Sequence, residues 1–443
     1  MSIASNGARP APRRPLRVMM TTFAANTHFQ PLVPLAWALR TAGHEVRLVS
    51  QPSLSDVVTQ AGLTSVPVGT EAPVEQFAAT WGGDAYIGVN SIDFTGDDPG
   101  LWTWPYLLGM ETMLVPAFYE LLNNESFVDG VVEFARDWRP DLVIWEPLTF
   151  AGAVAARVTG AAHARLPWGQ EITLRGRQAF LAERALQPFE HREDPTAEWL
   201  GRMLDRYGCS FDEEMVTGQW TIDTLPRSMR LELSEELRTL DMRYVPYNGP
   251  AVVPPWVWEP CERPRVCLTI GTSQRDSGRH HVPLDHLLDS LADVDAEIVA
   301  TLDTTQQEHL RGAAPGNVRL VDFVPLHALM PTCSAIVHHG GPGTWSTAAL
   351  HGVPQIILDT SWDTPVRAQR MQRLGAGLSM PVEELGVEAL RDRVLRLLGE
   401  PEFRAGAERI RAEMLAMPAP GDVVPDLERL TAEHATGAVA GRR

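Results

Sequence analysis

The sequence lacks the features that mark several common protein classes. It holds only four cysteines, Cys209, Cys261, Cys267 and Cys333. None forms a C-x-x-C pair, so neither a disulfide framework nor a zinc site is expected, and a reducing cytoplasm is the default compartment. No apolar run approaches the roughly 18 residues that a membrane-crossing helix needs. Basic side chains are in the minority: 38 Lys and Arg against 56 Asp and Glu give a formal net charge of −18. Nucleic acid is therefore a poor partner, since binding its backbone requires a basic face. A local phosphate site stays compatible, because a helix N-terminus needs no net positive charge. Residues 1–15, MSIASNGARPAPRRP, are basic and rich in Pro and Ala. The apolar stretch of a signal peptide does not follow them, and they read as a disordered leader.

What is present fits two α/β lobes. A chain of 443 residues exceeds one ordinary core. A strand over residues 16–23 leads into the loop AANTHFQP and then a helix with Leu32, Leu35, Ala36 and Leu39 on one face. The strand EVRLVS (45–50) follows, and strand, helix, strand at this spacing implies a parallel sheet. A further buried-type strand, DLVIWE, covers 141–146. Residues 170–245 are rich in charged helical stretches and read as a helical insertion on a first lobe spanning 16–245. The segment 246–264 carries six prolines and serves as linker. Residues 265–443 repeat the alternation, with strands at 265–271, 296–302, 318–324, 334–339 and 355–358 and helices to the end. Two such lobes place a ligand cleft between them, at the carboxyl ends of the strands.

The most informative segment is AIVHHGGPGTWSTAALHGVPQIIL (335–358). A strand ends at His338 and His339, Gly340, Gly341 and Gly343 turn the backbone, and a helix opens near Thr344. Free N–H groups and the positive end of a helix dipole then point at one spot, as a phosphate requires. His339 and Thr344 add side-chain donors. No Gly-Lys-Ser/Thr follows, so this is not a Walker loop, and the glycines do not match the dinucleotide fingerprint either. Two other features are set aside: Asp293-Val294-Asp295 as a surface turn, and His280-His281 as a polar loop without further metal ligands.

HHGGPGT resembles the donor-phosphate motif of inverting natural-product glycosyltransferases of the GT-B fold. The likeness continues through 352–378, GTS (271–273), the THF loop, GQWTIDTLPRSMRL (218–231) and MRYVPYNGP (242–250). The last two narrow it to actinomycete enzymes that glycosylate macrolides and related polyketides with TDP-deoxysugars. The resemblance implies that His28 deprotonates the acceptor hydroxyl, a task suited to an imidazole near pKa 6.5. Glu146, ending the strand 141–146, is the candidate partner that orients it; relatives commonly place Asp near here, and Asp141 lies at the wrong end of the strand. Thr272 and Ser273 would meet the diphosphate, and the Val324 backbone the thymine edge. Asp363 and Thr364 stand where hexose-using relatives have an acid followed by Gln, and the missing amide favours a deoxygenated sugar. The implied reaction is one in-line displacement without metal or other cofactor, TDP-sugar being a co-substrate. Trp81, Trp102, Trp104 and Trp168 suit a large apolar aglycone. Some members need a helper protein resembling a heme-less cytochrome, and 170–245 is where it would dock. The oligomeric state stays open, a homodimer included. Rival readings are a nucleotide-sugar 2-epimerase of the same fold and a non-catalytic partner protein.

Overall fold

The computed structural model describes residues 14–73, 92–96, 98, 100–271, 284–309, 314–359 and 362–440. Most of the leader, Trp81, Thr272, Ser273, His280 and His281 lie outside the described residues.

The first lobe is built on a seven-stranded sheet: β1 (Arg17–Thr21), β2 (Glu45–Ser50), β3 (Ser65–Pro67), β4 (Leu142–Trp145), β5 (Ala162–Arg165), β6 (Trp220–Asp223) and β7 (Thr239–Asp241). Their order in space is β3-β2-β1-β4-β5-β6-β7, every pair parallel. Alternation along the strands divides the apolar residues between two faces. Met19, Val49, Val143 and Trp145 enter one core, and Val18, Met20, Leu48, Leu142 and Ile144 the other. Burial on both faces is why these strands are nearly continuous hydrophobic runs.

The second lobe repeats the design with β8 (Arg265–Thr269), β9 (Glu297–Thr301), β10 (Val318–Val321), β11 (Ala335–His338), β12 (Gln355–Asp359) and β13 (Gly377–Pro381), ordered β10-β9-β8-β11-β12-β13. In each sheet the first strand has neighbours on both sides, so the winding reverses beside β1 and beside β8. Loops there open into a crevice at the carboxyl edge. The pair of parallel-sheet lobes is the GT-B α/β architecture expected.

Three features differ from the sequence reading. Residues 170–245 are not helices alone: after helices Ile172–Ala185 and Pro195–Asp205 the chain adds β6 and β7 to the first sheet. At four and three residues these strands are too short to show a period. The strand expected over 318–324 stops at Val321. The final helix, Val424–Ala440, assigned to the second lobe, packs on the first: Val424, Leu427 and Leu430 join the core under β1 and β2. No helix among the described residues is long and apolar enough to cross a membrane.

Candidate functional site

His28 is delivered by the loop after β1, in the short helix Asn26–Phe29. Glu146 follows β4, the strand paired with β1, so both arrive at the same sheet edge. His28 Nδ1 lies 3.1 Å from Glu146 Oε1. Glu146 is buried, with its side chain 1% exposed against 16% for His28. The other carboxylate oxygen accepts from Thr149 Oγ1 at 2.8 Å, and Thr149 in turn accepts from the Phe23 backbone N–H at 2.9 Å. A fixed carboxylate therefore holds one ring nitrogen. Phe23 and Trp168 pack on the imidazole, with ring centroids at 4.5 and 4.8 Å. With Nδ1–H donating to Glu146, Nε2 is the nitrogen left to take a proton. The extra length of Glu over Asp is accommodated.

On the second lobe β11 ends at His338, which is fully buried. The Gly340 N–H donates to His338 Nδ1 at 3.0 Å, and His338 Nε2–H donates to Gln355 Oε1 at 2.8 Å. Burial and the neighbouring His339 push the His338 pKa down to about 3, so it stays neutral. His338 is thus a brace for the glycine turn. This corrects the view of Gly340 as a free donor: its N–H is already used, and its carbonyl accepts from Arg367. Its left-handed φ of 89° is what glycine supplies there.

His339 occupies a slot walled by Gly271 and Gly341; a Cβ on either would run into its ring. Burial and Arg367 push its pKa down to about 4, and Nδ1 has no hydrogen-bond partner among the described residues. The helix Pro342–Leu350 then begins, with Gly341 as N-cap and Pro342 in its first turn. Proline has no N–H, so Gly343 and Thr344 carry the first-turn donors without intrahelical acceptors. Tyr244, ahead of the linker, donates to the Gly343 carbonyl at 3.3 Å and fixes this turn.

Beyond β12, Asp363 and Thr364 are buried. The Asp363 carboxylate pairs with Arg367, itself buried, which also reaches the Gly340 carbonyl. Part of the acid is therefore engaged inside the second lobe. Thr364 packs on Gly340. The first lobe comes close here: a Cβ on Gly169, next to Trp168, would stand 3.1 Å from Arg367 Nη2, 3.2 Å from Asp363 Oδ2 and 3.3 Å from Pro342 Cγ. Val324 lies in the loop after β10, its side chain buried in one cluster with Ile336 and Ala348. The sequence reading gave no role to His338, Arg367, Tyr244 or Gly271. Nothing in one sequence distinguishes a buried arginine from the many exposed ones, although Gly271 sat in the quoted GTS motif. Among the described residues no three His, Cys, Asp or Glu side chains gather as metal ligands. Asp293 and Asp295 are exposed beside Arg391 and Arg263.

Comparison with known proteins identifies the family. Residues 37–271 match the model of the N-terminal domain of erythromycin biosynthesis protein CIII-like proteins, and residues 285–430 that of their C-terminal domain. The chain is 54% identical over 418 residues to 3-alpha-mycarosylerythronolide B desosaminyl transferase of Saccharopolyspora erythraea, covering 94% of this chain and 99% of that protein. It is 51% identical to aklavinone 7-beta-L-rhodosaminyltransferase of Streptomyces galilaeus, covering 95% and 96%. Among solved structures, glycosyltransferase VinC in complex with dTDP superposes with a TM-score of 0.84 at 39% identity, covering 94% of this chain and all of that one. The fold, the paired matches to both domains and the identity over nearly the full length together place the chain in the erythromycin biosynthesis protein CIII-like family of glycosyltransferases.

Proposed function

We propose that the protein transfers a deoxysugar, specifically an amino-deoxy hexose, from TDP to a hydroxyl of a macrolide or related polyketide aglycone, with inversion. One observation carries the mechanism: His28 sits on the buried Glu146 at 3.1 Å, beside Trp168, while the next residue, Gly169, abuts the Asp363–Arg367 pair of the other lobe. A base and a donor site thus meet at one cleft. His28 Nε2 removes the acceptor proton and Glu146 stabilises the imidazolium. The alkoxide oxygen forms a bond to the anomeric carbon as the carbon–diphosphate bond breaks on the opposite face. The charge arriving on the departing diphosphate meets the Gly343 and Thr344 N–H groups, the Thr344 hydroxyl, the helix dipole and His339. Thr272 and Ser273 would add donors, and the Val324 backbone would meet thymine. No metal or further cofactor takes part.

Relatives named as desosaminyl and rhodosaminyl transferases support an amino-deoxysugar, and their erythronolide and aklavinone acceptors support a polyketide. The test is mass spectrometry of products from a panel of TDP-deoxysugars with macrolide and anthracycline aglycones. A new mass equal to aglycone plus sugar is expected. Sugar isomerised with no acceptor present would instead favour an epimerase.

A helper protein resembling a heme-less cytochrome would dock on 170–245. Support comes from Leu186 and Phe189, 76% and 87% exposed at the end of the helix Ile172–Ala185. Co-purification with such a helper should be lost in Phe189→Ser. Equal activity with and without helper would count against the idea.

A further inference from the structure

Trp362 has a backbone that bulky L-residues avoid. Its φ is 62°, in the left-handed region where Cβ crowds the peptide. Such a conformation persists only where the surroundings over-determine it. Here the surroundings belong to the other lobe: the indole packs against Phe94 and Phe118, each with ring centroids 4.8 Å away. Phe94 is buried in the first-lobe core, and Val366, one helical turn beyond Trp362, enters the same core. Asp363, the next residue, is held by Arg367, which also grips the Gly340 carbonyl.

We propose that Trp362 is a positioning residue through which the aromatic cluster of the acceptor lobe sets the conformation of the donor-sugar segment. The ring, pinned from the first lobe, keeps the backbone left-handed and so aims Asp363 and Thr364. The diphosphate turn shares Arg367 with this segment but has further braces outside the aromatic cluster, His338 and Tyr244. Hence the sugar end of the donor site depends on the aromatic cluster around Phe94 and Phe118, and the nucleotide end on other contacts. This rests on the reading of 335–364 as the donor site.

The experiment compares wild type, Phe94→Ala, Phe118→Leu, Trp362→Ala and Trp362→Phe. It reads hydrogen exchange over 362–370, TDP affinity by calorimetry and kinetics with the donor that the product screen identifies. Phe118 is only half-buried, so its variant should fold even where Phe94→Ala is too unstable. Faster exchange over 362–370 is expected in Phe118→Leu and Trp362→Ala, with donor KM up by about tenfold and TDP affinity unchanged within about twofold. Trp362→Phe should restore most of the loss. Unchanged exchange and donor KM in both Phe118→Leu and Trp362→Ala would overturn the proposal, as would an equal loss of TDP affinity. Wild type that fails to bind TDP would overturn the donor-site reading itself.

Discussion

Removing the His28 imidazole should cost more than removing any other single side chain of the first lobe. His28→Ala is expected to lower kcat by about 10²–10⁴-fold with TDP affinity intact, measured by single-turnover kinetics and calorimetry. Glu146→Gln keeps the shape but not the charge that stabilises the imidazolium, and should lower kcat by about tenfold or more. His338 makes a separate prediction about stability. Its pKa is about 3 in the fold and near 6.5 when unfolded, so the unfolded chain binds the extra proton in between. Its contribution is complete above about pH 6.5 and is lost as pH falls from there toward 3. Asp223, raised to about 6 by burial, acts in the opposite direction over part of that window. His338→Gln should therefore flatten the fall of Tm between about pH 6.5 and 4, and an unchanged slope would remove the brace role. At this scale the site was half legible. His28, Glu146 and His339 stand at strand ends inside recognisable motifs. All 38 basic residues are arginines, and no periodicity separates the buried Arg367 and Arg177 from those on the surface.

Elements matter through the ends they present. The turn 339–344 works because β11 stops at a buried histidine and a proline-led helix starts four residues later. Tyr244→Phe removes the hydroxyl on the Gly343 carbonyl and should weaken TDP binding by about 1 kcal/mol in calorimetry. Gly169→Ala pushes a methyl between the lobes, 3.1 to 3.3 Å from Arg367, Asp363 and Pro342. Donor KM should rise while the far-UV spectrum and Tm hold. The strands of the central sheets were readable because burial on both faces makes them apolar runs. β6 and the edge strand β7 were not, since strands of four and three residues are held by their neighbours' hydrogen bonds more than by their own pattern.

At the scale of the whole molecule, the two sheets are joined by more than the linker. The chain returns at its end to the first lobe, where Leu427 is fully buried and Glu428 approaches His44 at 3.3 Å. Leu427→Ala should cost about 2–5 kcal/mol, read as a fall in the denaturant midpoint. Such a return crosses the whole sequence and leaves no local signal, which is why the terminal helices read simply as outer layers of the second lobe. The central claim joins both lobes and is tested most directly by a crystal structure with TDP and aglycone bound. The β-phosphate should lie within about 3.2 Å of the Gly343 and Thr344 nitrogens, with an acceptor hydroxyl on His28 Nε2. A nucleotide bound away from that turn, or an acceptor out of reach of His28, would contradict it.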